Sequence, residues 1–581
     1  MYFVDTIDVP GLGNRGYLAG GAHSAAVVDP PRDIDRVIAA AARRGVRITH
    51  VVETHVHNDY VSGGLELARI TGAAYLVPAA ARVGYERVPV ADGDRTEIDD
   101  GLVLRALATP GHTPHHTSYV LEEIQEKDQE ETQEEVQREA RQGIARAVAV
   151  FTGGSLLIGT VGRPDLVEPG LTGRLARAQY DSAHRLAAEL PDETAVLPTH
   201  GFGSFCSATQ AAGGAETTIG RERAVNEALV KDVDAFVADL LAGLDDIPAY
   251  YAHMGPANTQ GPAPVDLTPP RPADAEEIAA RLAAGEWVVD LRNRVAFAEG
   301  HVAGSLNFEA EGQLATYLAW LLPWGKPVTL LAESPAQLAH AQRELVRVGI
   351  DRPAASATGT PTEWLREGER PRSFPRGTFA ELAAQDGVVV LDVRRDSERD
   401  AGHIKGSVHI PLHHLRDRLP EIPGGTVWVH CAGGMRAAIA ASLLDAAGRE
   451  VVAVDDGFTA ARDAGLPMAR ITAAEAEERA GSDAVLLDVR EADEWAEGHA
   501  PGAVLAPLSS LTAGELLPKA ARGRPIVAIC RSGKRSREAA ALLTARGGTD
   551  VVDVVGGMRA WVEAGLPVVA ESGAGTPGRP R

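Results

Sequence analysis

Cysteine is scarce in this chain: three residues, Cys206, Cys431 and Cys530, among 581. Thiols so few and so widely spread cannot build a disulfide framework, so stability must come from ordinary cores and the thiols are expected to be free. Positive charge is also short, with 57 Lys and Arg against 80 Asp and Glu and a formal net charge of −23. That balance argues against a nucleic-acid or anionic-membrane partner. No apolar run approaches the roughly 18 residues a spanning helix needs. The opening Met1-Tyr2-Phe3-Val4-Asp5 has neither the basic region nor the apolar core of a secretory signal. Together these absences lead us to expect a cytoplasmic protein. What is present, 45% hydrophobic and 24% charged residues, is ordinary globular material. At this length, three to five domains are expected from a prior of roughly 150 residues each.

The first part of the chain alternates short apolar runs with helical patterns, as in the strand-like Ala25-Ala26-Val27-Val28-Asp29 and the amphipathic stretch from Ile34 to Arg44. That is α/β patterning. A Glu/Gln-rich segment, Glu122 to Arg141, interrupts it and is expected to be a solvated helix or flexible insertion spanning about 122–142. Around Gly255–Arg271 the composition turns to Pro, Gly and polar residues, which reads as a linker assigned to 251–271. Glu571–Arg581 reads as a disordered tail.

Beyond the linker the chain repeats itself three times. Val288-Val289-Asp290-Leu291-Arg292 precedes Gly300-His301, Val390-Leu391-Asp392-Val393-Arg394 precedes Gly402-His403, and Leu486-Leu487-Asp488-Val489-Arg490 precedes Gly498-His499, with the same Asp-to-His offset each time. The copies recur about every hundred residues, too long for a solenoid unit, so each is expected to be a small α/β domain with a parallel sheet. The boundaries expected are 1–250, 272–370, 371–468 and 469–570.

In the third copy Ile526-Val527-Ala528-Ile529 runs into Cys530-Arg531-Ser532-Gly533-Lys534-Arg535, and in the second Val427-Trp428-Val429-His430 runs into Cys431-Ala432-Gly433-Gly434-Met435-Arg436. A cysteine between a strand and a helix start meets unpaired N–H groups and the positive end of the helix dipole, which favour the nucleophilic thiolate. Arg436 and Arg535 add positive charge at the far end of each loop. These segments resemble the rhodanese family, over roughly Pro272 to Ala570. The resemblance implies transfer of sulfane sulfur through a cysteine persulfide at Cys431 and Cys530. The first copy departs, with Ala332 where the cysteine should stand and neither Gly nor Arg in Glu333-Ser334-Pro335-Ala336-Gln337. We expect it to be a scaffold or docking domain. Arg531, Lys534 and Arg535 make the third loop the more basic, suited to anionic donors such as thiosulfate.

A second constellation lies near the start. Val51-Val52-Glu53 empties into Thr54-His55-Val56-His57-Asn58-Asp59-Tyr60, and two His one residue apart in a loop can chelate one ion. Thr109-Pro110-Gly111-His112 offers a further histidine at a turn, followed by His115 and His116; His200 stands in Pro198-Thr199-His200-Gly201. This pattern resembles the metallo-β-lactamase fold over roughly Tyr2 to Leu244, and within it the persulfide dioxygenases related to glyoxalase II. The resemblance implies one Fe(II) held by His55, His112 and an aspartate, and oxidation of a low-molecular-weight thiol persulfide by O₂ to sulfite.

Two residues depart from that pattern. Tyr60 stands where a histidine would serve a second metal, which argues against a two-metal hydrolase. Gly154 stands where the aspartate ligand should be, so the two-His-one-carboxylate set is incomplete. His57 could complete a three-His site with His55 and His112; Asp59, Asp165 or His200 could approach instead. Iron is the expected metal and zinc the alternative. Cys206 could line the substrate pocket, and Arg223 is a candidate for holding the carboxylate of a thiol cofactor such as glutathione.

The fold expected is therefore a metallo-β-lactamase αββα sandwich followed by three rhodanese-like α/β domains with parallel sheets. The leading function is a sulfur-metabolism fusion enzyme, a persulfide dioxygenase coupled to sulfurtransfer. Its expected partners are small-molecule persulfides and thiols, thiosulfate or sulfite. One alternative is a sulfurtransferase or carrier whose first domain is catalytically inactive; another is a zinc thioester hydrolase of glyoxalase II type. Homodimerisation is left open.

Overall fold

Two six-stranded sheets face one another in the first domain. One runs in the order Phe3–Val9, Asn14–Gly20, Ser24–Val28, Arg47–Val52, Ala74–Pro78, Val88–Val90; the other in the order Thr217–Thr218, Ala195–Pro198, Ile144–Gly153, Thr117–Gln125, Leu102–Ala108, Arg95–Asp99. The computed structural model describes residues 2–125, 144–208, 216–548 and 550–570. Alternating strand residues sort onto two faces. Tyr17, Ala26, Val28 and Val52 from one sheet meet Leu104, Tyr119, Leu121 and Phe151 from the other between the layers. The opposite faces are covered by helices: Asp35–Arg44 and Gly64–Thr71 on the first sheet, Thr172–Glu189 and Val233–Ala242 on the second. This is an αββα sandwich, as expected.

Two features differ from the expectation. The acidic segment begins as strand: Glu122 is buried and ion-paired with Arg95 and Arg105, which the next two strands of the sheet place opposite one another beside it. The remainder of that segment, 126–143, and the tail 571–581 lie outside the described residues. The stretch read as a linker is helical over Tyr251–Gln260 despite Pro256 inside it. Burial of Tyr251, Met254 and Asn258 outweighs the local preference for a loop.

The three repeats each carry a wholly parallel sheet. The first orders its strands Leu306–Asn307, Trp287–Asp290, Val328–Ala332, Ala355–Thr358. The second and third add an edge strand, Arg376–Gly377 and Arg470–Ile471 respectively. The repeated Asp-x-Arg and Gly-His motifs are structural locks. In the three copies Arg292, Arg394 and Arg490 grip Asp290, Asp392 and Asp488 and also donate to the carbonyls of Gly300, Gly402 and Gly498, at 2.7, 2.8 and 2.7 Å. The strand end is thereby tied to the turn eight residues on.

The first domain and the first repeat form one compact unit, Met1–Ser373; the two cysteine-bearing repeats form another, Phe374–Arg581. Inside the first unit the junction is heavily charged. Arg347 of the repeat makes a bidentate contact with Asp33, at 2.9 and 2.7 Å, both side chains being buried. Arg32 pairs with Asp351, and Val61 N–H donates to the Arg347 carbonyl at 2.7 Å. Among the described residues no helix is long and apolar enough to cross a membrane.

Candidate functional site

Three imidazoles converge above the sandwich, and their neighbours dictate which nitrogen each presents. Thr54 spends its hydroxyl proton on Asp29 at 2.7 Å, so its oxygen accepts from His55 Nδ1–H at 2.8 Å. His112 Nδ1–H donates to the Arg163 carbonyl at 2.8 Å. Asn14 donates its amide to Asp59, which leaves Asn14 Oδ1 to accept from His200 Nδ1–H at 3.1 Å. Each ring is left with an Nε2 lone pair, and those of His55 and His200 stand 3.4 Å apart. Burial and the neighbouring imidazoles hold His55 well below its ordinary value, and burial brings His112 to about 3, so both are neutral. Facing lone pairs repel unless a cation lies between them, so these residues suit a metal ion. Their Nδ1 partners are the outer hydrogen bonds that orient metal-binding histidines.

His57, expected as the third nitrogen donor, lies beside these rings but is turned elsewhere. It offers a nitrogen within 4.8 Å of His55 and His200, yet its Nε2 sits 3.2 Å from both Asp29 and Glu53. Burial pulls its imidazolium down, and the carboxylates, Asp29 first, outweigh that and raise it to about 10. His57 thus faces acids through Nε2, while His200 Nε2 faces His55 Nε2. Asp29 itself is held at φ 48°, the one non-glycine residue described with positive φ, by its bonds to Thr54 and Thr199. His116 uses both nitrogens, one with Thr109 and one accepting from Gly154 N–H at 3.0 Å. His115 is exposed.

Gly154 is a packing necessity here. A Cβ at that position would lie 2.2 Å from His112 Cδ2 and 2.8 Å from its Nε2. The His112 ring fills the space a ligand side chain would use, so a two-His-one-carboxylate set does not fit this chain. Asp165 is committed to Arg163, and Asp59 stands behind His200 rather than among the Nε2 atoms. Cys206 does reach the cluster: its Sγ lies within 4.8 Å of nitrogens of both His112 and His200, and it is fully buried. Tyr60 packs on the His57 ring and reaches the Asp29 carbonyl at 3.3 Å, supplying no donor for a second metal.

Asn258, from the helix that replaces the expected linker, holds the loop by donating to the carbonyls of His57 and Tyr60, at 2.8 Å each. Sequence reading missed it and Asn14; neither carries a local signal. Arg223 is not brought to the cluster. It pairs with Asp192 and donates to the carbonyls of Ala187 and Leu190 near the end of helix Thr172–Glu189, where unpaired carbonyls attract cations.

The two sulfur loops are near copies. Cys431 Sγ accepts from Gly434 N–H at 3.1 Å and Cys530 Sγ from Gly533 N–H at 3.2 Å. Each glycine sits at positive φ, 95° and 88°, where a side chain would strain the turn into helices Met435–Ala446 and Lys534–Ala545. Arg436 and Arg535 form bidentate pairs with Glu398 and Glu494, at 2.6 and 2.7 Å in both loops. Burial lifts the Glu398 carboxyl and Arg436 more than reverses it, to about 2; Arg535 brings Glu494 to about 2 as well. The third copy adds a polar relay: Ser536 Oγ lies 3.5 Å from Cys530 Sγ and 3.4 Å from Asp553, which Arg470 grips. In the first copy Ala332 ends its strand in the reactive position, and Ser334 caps the following helix without a cradle.

The rhodanese-like domain family model matches residues 376–464 and 472–564, the stretches bearing Cys431 and Cys530. The metallo-beta-lactamase superfamily model matches residues 10–127. A sulfurtransferase from Allochromatium vinosum is 36% identical over 91 residues, 16% of this chain and 83% of the relative. A hydroxyacylglutathione hydrolase from Methylobacillus flagellatus is 35% identical over 92 residues, 16% of this chain and 37% of the relative. A solved metallo-beta-lactamase from Staphylococcus aureus is similar over 61% of this chain and 98% of its own, at 25% identity and a TM-score of 0.52. The chain spans between about a fifth and a half of the length of several curated relatives, 48%, 22% and 37% in three cases.

Proposed function

We propose that this chain, which belongs to the rhodanese-like family and carries a domain of the metallo-β-lactamase superfamily, oxidises a thiol persulfide in its first domain and transfers sulfane sulfur through Cys431 and Cys530. The observation that carries the sulfur chemistry is the doubled cradle, a glycine N–H aimed at each Sγ at a helix start. In transfer, the thiolate attacks the outer sulfur of thiosulfate, the S–S bond breaks, and sulfite leaves with the bonding pair. The Cys-S-S⁻ anion that remains is stabilised by the same N–H and by the helix dipole. The sulfurtransferase relative supports this part.

For the first domain, the supporting observation is the set of Nε2 lone pairs of His55, His112 and His200. A bound divalent ion, iron in the leading reading and zinc in the alternative, supplies open positions where a persulfide sulfur and O₂ meet. The chain's own part is to hold three buried imidazoles and orient them through Thr54, Arg163 and Asn14. The net reaction is thiol persulfide plus O₂ plus water giving thiol plus sulfite and two protons. One chain with both activities raises the effective concentration of the shared intermediate.

Gly154 favours a second reading, a sulfurtransferase whose first domain performs no chemistry. Oxygen uptake and sulfite release with glutathione persulfide decide between them: uptake is expected, and iron-loaded protein without uptake would leave only the transfer activity. The hydrolase relatives support a zinc thioesterase as a third reading, which Tyr60 disfavours and thioester hydrolysis tests. For the loops, Cys431→Ser and Cys530→Ser together should abolish thiosulfate:cyanide sulfurtransfer; full activity in the double variant would remove both cysteines from the reaction.

A further inference from the structure

The three imidazoles around the candidate metal position are all uncharged ligands. Gly154 has removed the anionic one, and the His112 ring has closed its place. The neighbouring carboxylates face the outer side of the rings rather than their Nε2 atoms. Asp29 and Glu53 flank His57, Asp165 holds Arg163, and Asp59 accepts from Asn14 behind His200. A doubly charged ion bound by neutral donors alone in so buried a site would be poorly compensated. The Cys206 thiol is an acidic side chain that groups with nitrogens of His112 and His200.

We propose that Cys206 is the anionic ligand of the first-domain metal, in place of a carboxylate at position 154, in a set with His112 and His200 that adjoins His55. This rests on reading the first domain as a metal site. Its Sγ and nitrogens of His112 and His200 all lie within 4.8 Å of one another, and the thiol is fully buried. Its bond to the Tyr251 hydroxyl is a long one, 3.8 Å. The backbone holds the thiol and His112 to a common strut. Arg163 accepts from His112 through its carbonyl and donates its N–H to the Cys206 carbonyl, both at 2.8 Å. Ser204 Oγ accepts from Cys206 N–H at 3.2 Å, and Phe205 packs edge-on against Trp320 of the first repeat, with centroids 5.1 Å apart. The cysteine-less repeat therefore braces the loop that carries this sulfur.

When the metal–sulfur bond forms, the Cys206 proton leaves to the buffer. A thiolate is softer than a carboxylate and shifts preference toward zinc and cobalt relative to an all-oxygen-and-nitrogen set. The full chain, stripped of metal and titrated with Co(II), tests the assignment. The expected result is a near-ultraviolet thiolate-to-cobalt charge-transfer band that persists in the Cys431→Ser, Cys530→Ser double variant. In Cys206→Ser the band should vanish, with cobalt affinity lowered by about tenfold or more. Cys206→Asp, which restores a carboxylate, should bind cobalt with its visible ligand-field bands but without charge transfer. Cobalt bound by the unaltered chain without a thiolate band, or a band that survives Cys206→Ser, would overturn the role of Cys206 while leaving the metal site standing. No cobalt bound at all would overturn the metal site itself.

Discussion

Installing an aspartate at position 154 should damage the histidine cluster rather than complete it. A Cβ there would stand 2.2, 2.5 and 2.8 Å from Cδ2, Cγ and Nε2 of His112. Ordinary contact begins at about 3.4 Å, so the ring must retreat by roughly 1 Å. It has little room: His112 is 1% exposed, its Nδ1 is pinned to the Arg163 carbonyl, and Gly162 closes the far side. Overpacking of this kind costs about 1–3 kcal/mol. Gly154→Ala should therefore already lower the melting temperature of the metal-free protein, and displacement of one ligand ring should weaken metal binding by about 10- to 100-fold. Gly154→Asp should be worse, with a carboxylate forced into the same space. Thermal denaturation of the metal-free form and chelator competition for the metal form measure the two effects. A Gly154→Asp variant as stable as the parent, with equal or tighter metal binding, would refute the packing argument.

Ser536→Ala should slow sulfurtransfer by Cys530 by about 2- to 10-fold, the worth of one hydrogen bond, when assayed in a Cys431→Ser background. Unchanged turnover would make the relay through Asp553 structural only. Arg347→Ala should destabilise the first unit by about 3–5 kcal/mol, because it strands buried Asp33 without its bidentate partner; calorimetry should find the lowest-melting transition moved, and an unmoved one would contradict this. Burial raises Asp392 and its bonds to Arg394 outweigh that, leaving it at about 2, and Glu398 is likewise at about 2. Both folded values lie below the ordinary carboxylate value near 4, so their stabilisation is present above about pH 4 and is lost as pH falls toward 2. Acid unfolding of Arg394→Met should begin at higher pH than in the parent, and coincident curves would argue against it.

What was legible in the sequence follows the range of the interactions. The Asp-x-Arg and Gly-His motifs are closed within about a dozen residues, as Arg394 on Asp392 and Gly402 illustrates, so their spacing carries the geometry. The same holds for Cys431 and Gly434. The histidine site was legible only where a motif was local. His55, His57 and His112 were singled out from local motifs, and His200 was named only as an alternative because it stands 145 residues from His55. In the fold, His57 answers to Asp29 and Glu53, and His200 arrives from the opposite sheet, held by Asn14. Cys206, Asn258 and the junction arginine Arg347 depend on packing between segments far apart in the chain, which neither periodicity nor spacing records. The helix Tyr251–Gln260 was hidden for the same reason, since its Pro and Gly content reads as a loop until Tyr251 and Met254 find a surface to bury against.

The clamp of Arg347 on Asp33 sets a limit on how such chains are recombined. Arg347 and Asp33 are both buried at the junction, so neither tolerates a neutral neighbour arriving in its partner's place. The boundary between the sandwich and the first repeat lies inside one compact unit and is thus a poor place to cut the chain. A transplant of the first domain into another protein would have to take the cysteine-less repeat along. That repeat carries the lock of Asp290 and Arg292 with Ala332, not a cysteine, at its strand end.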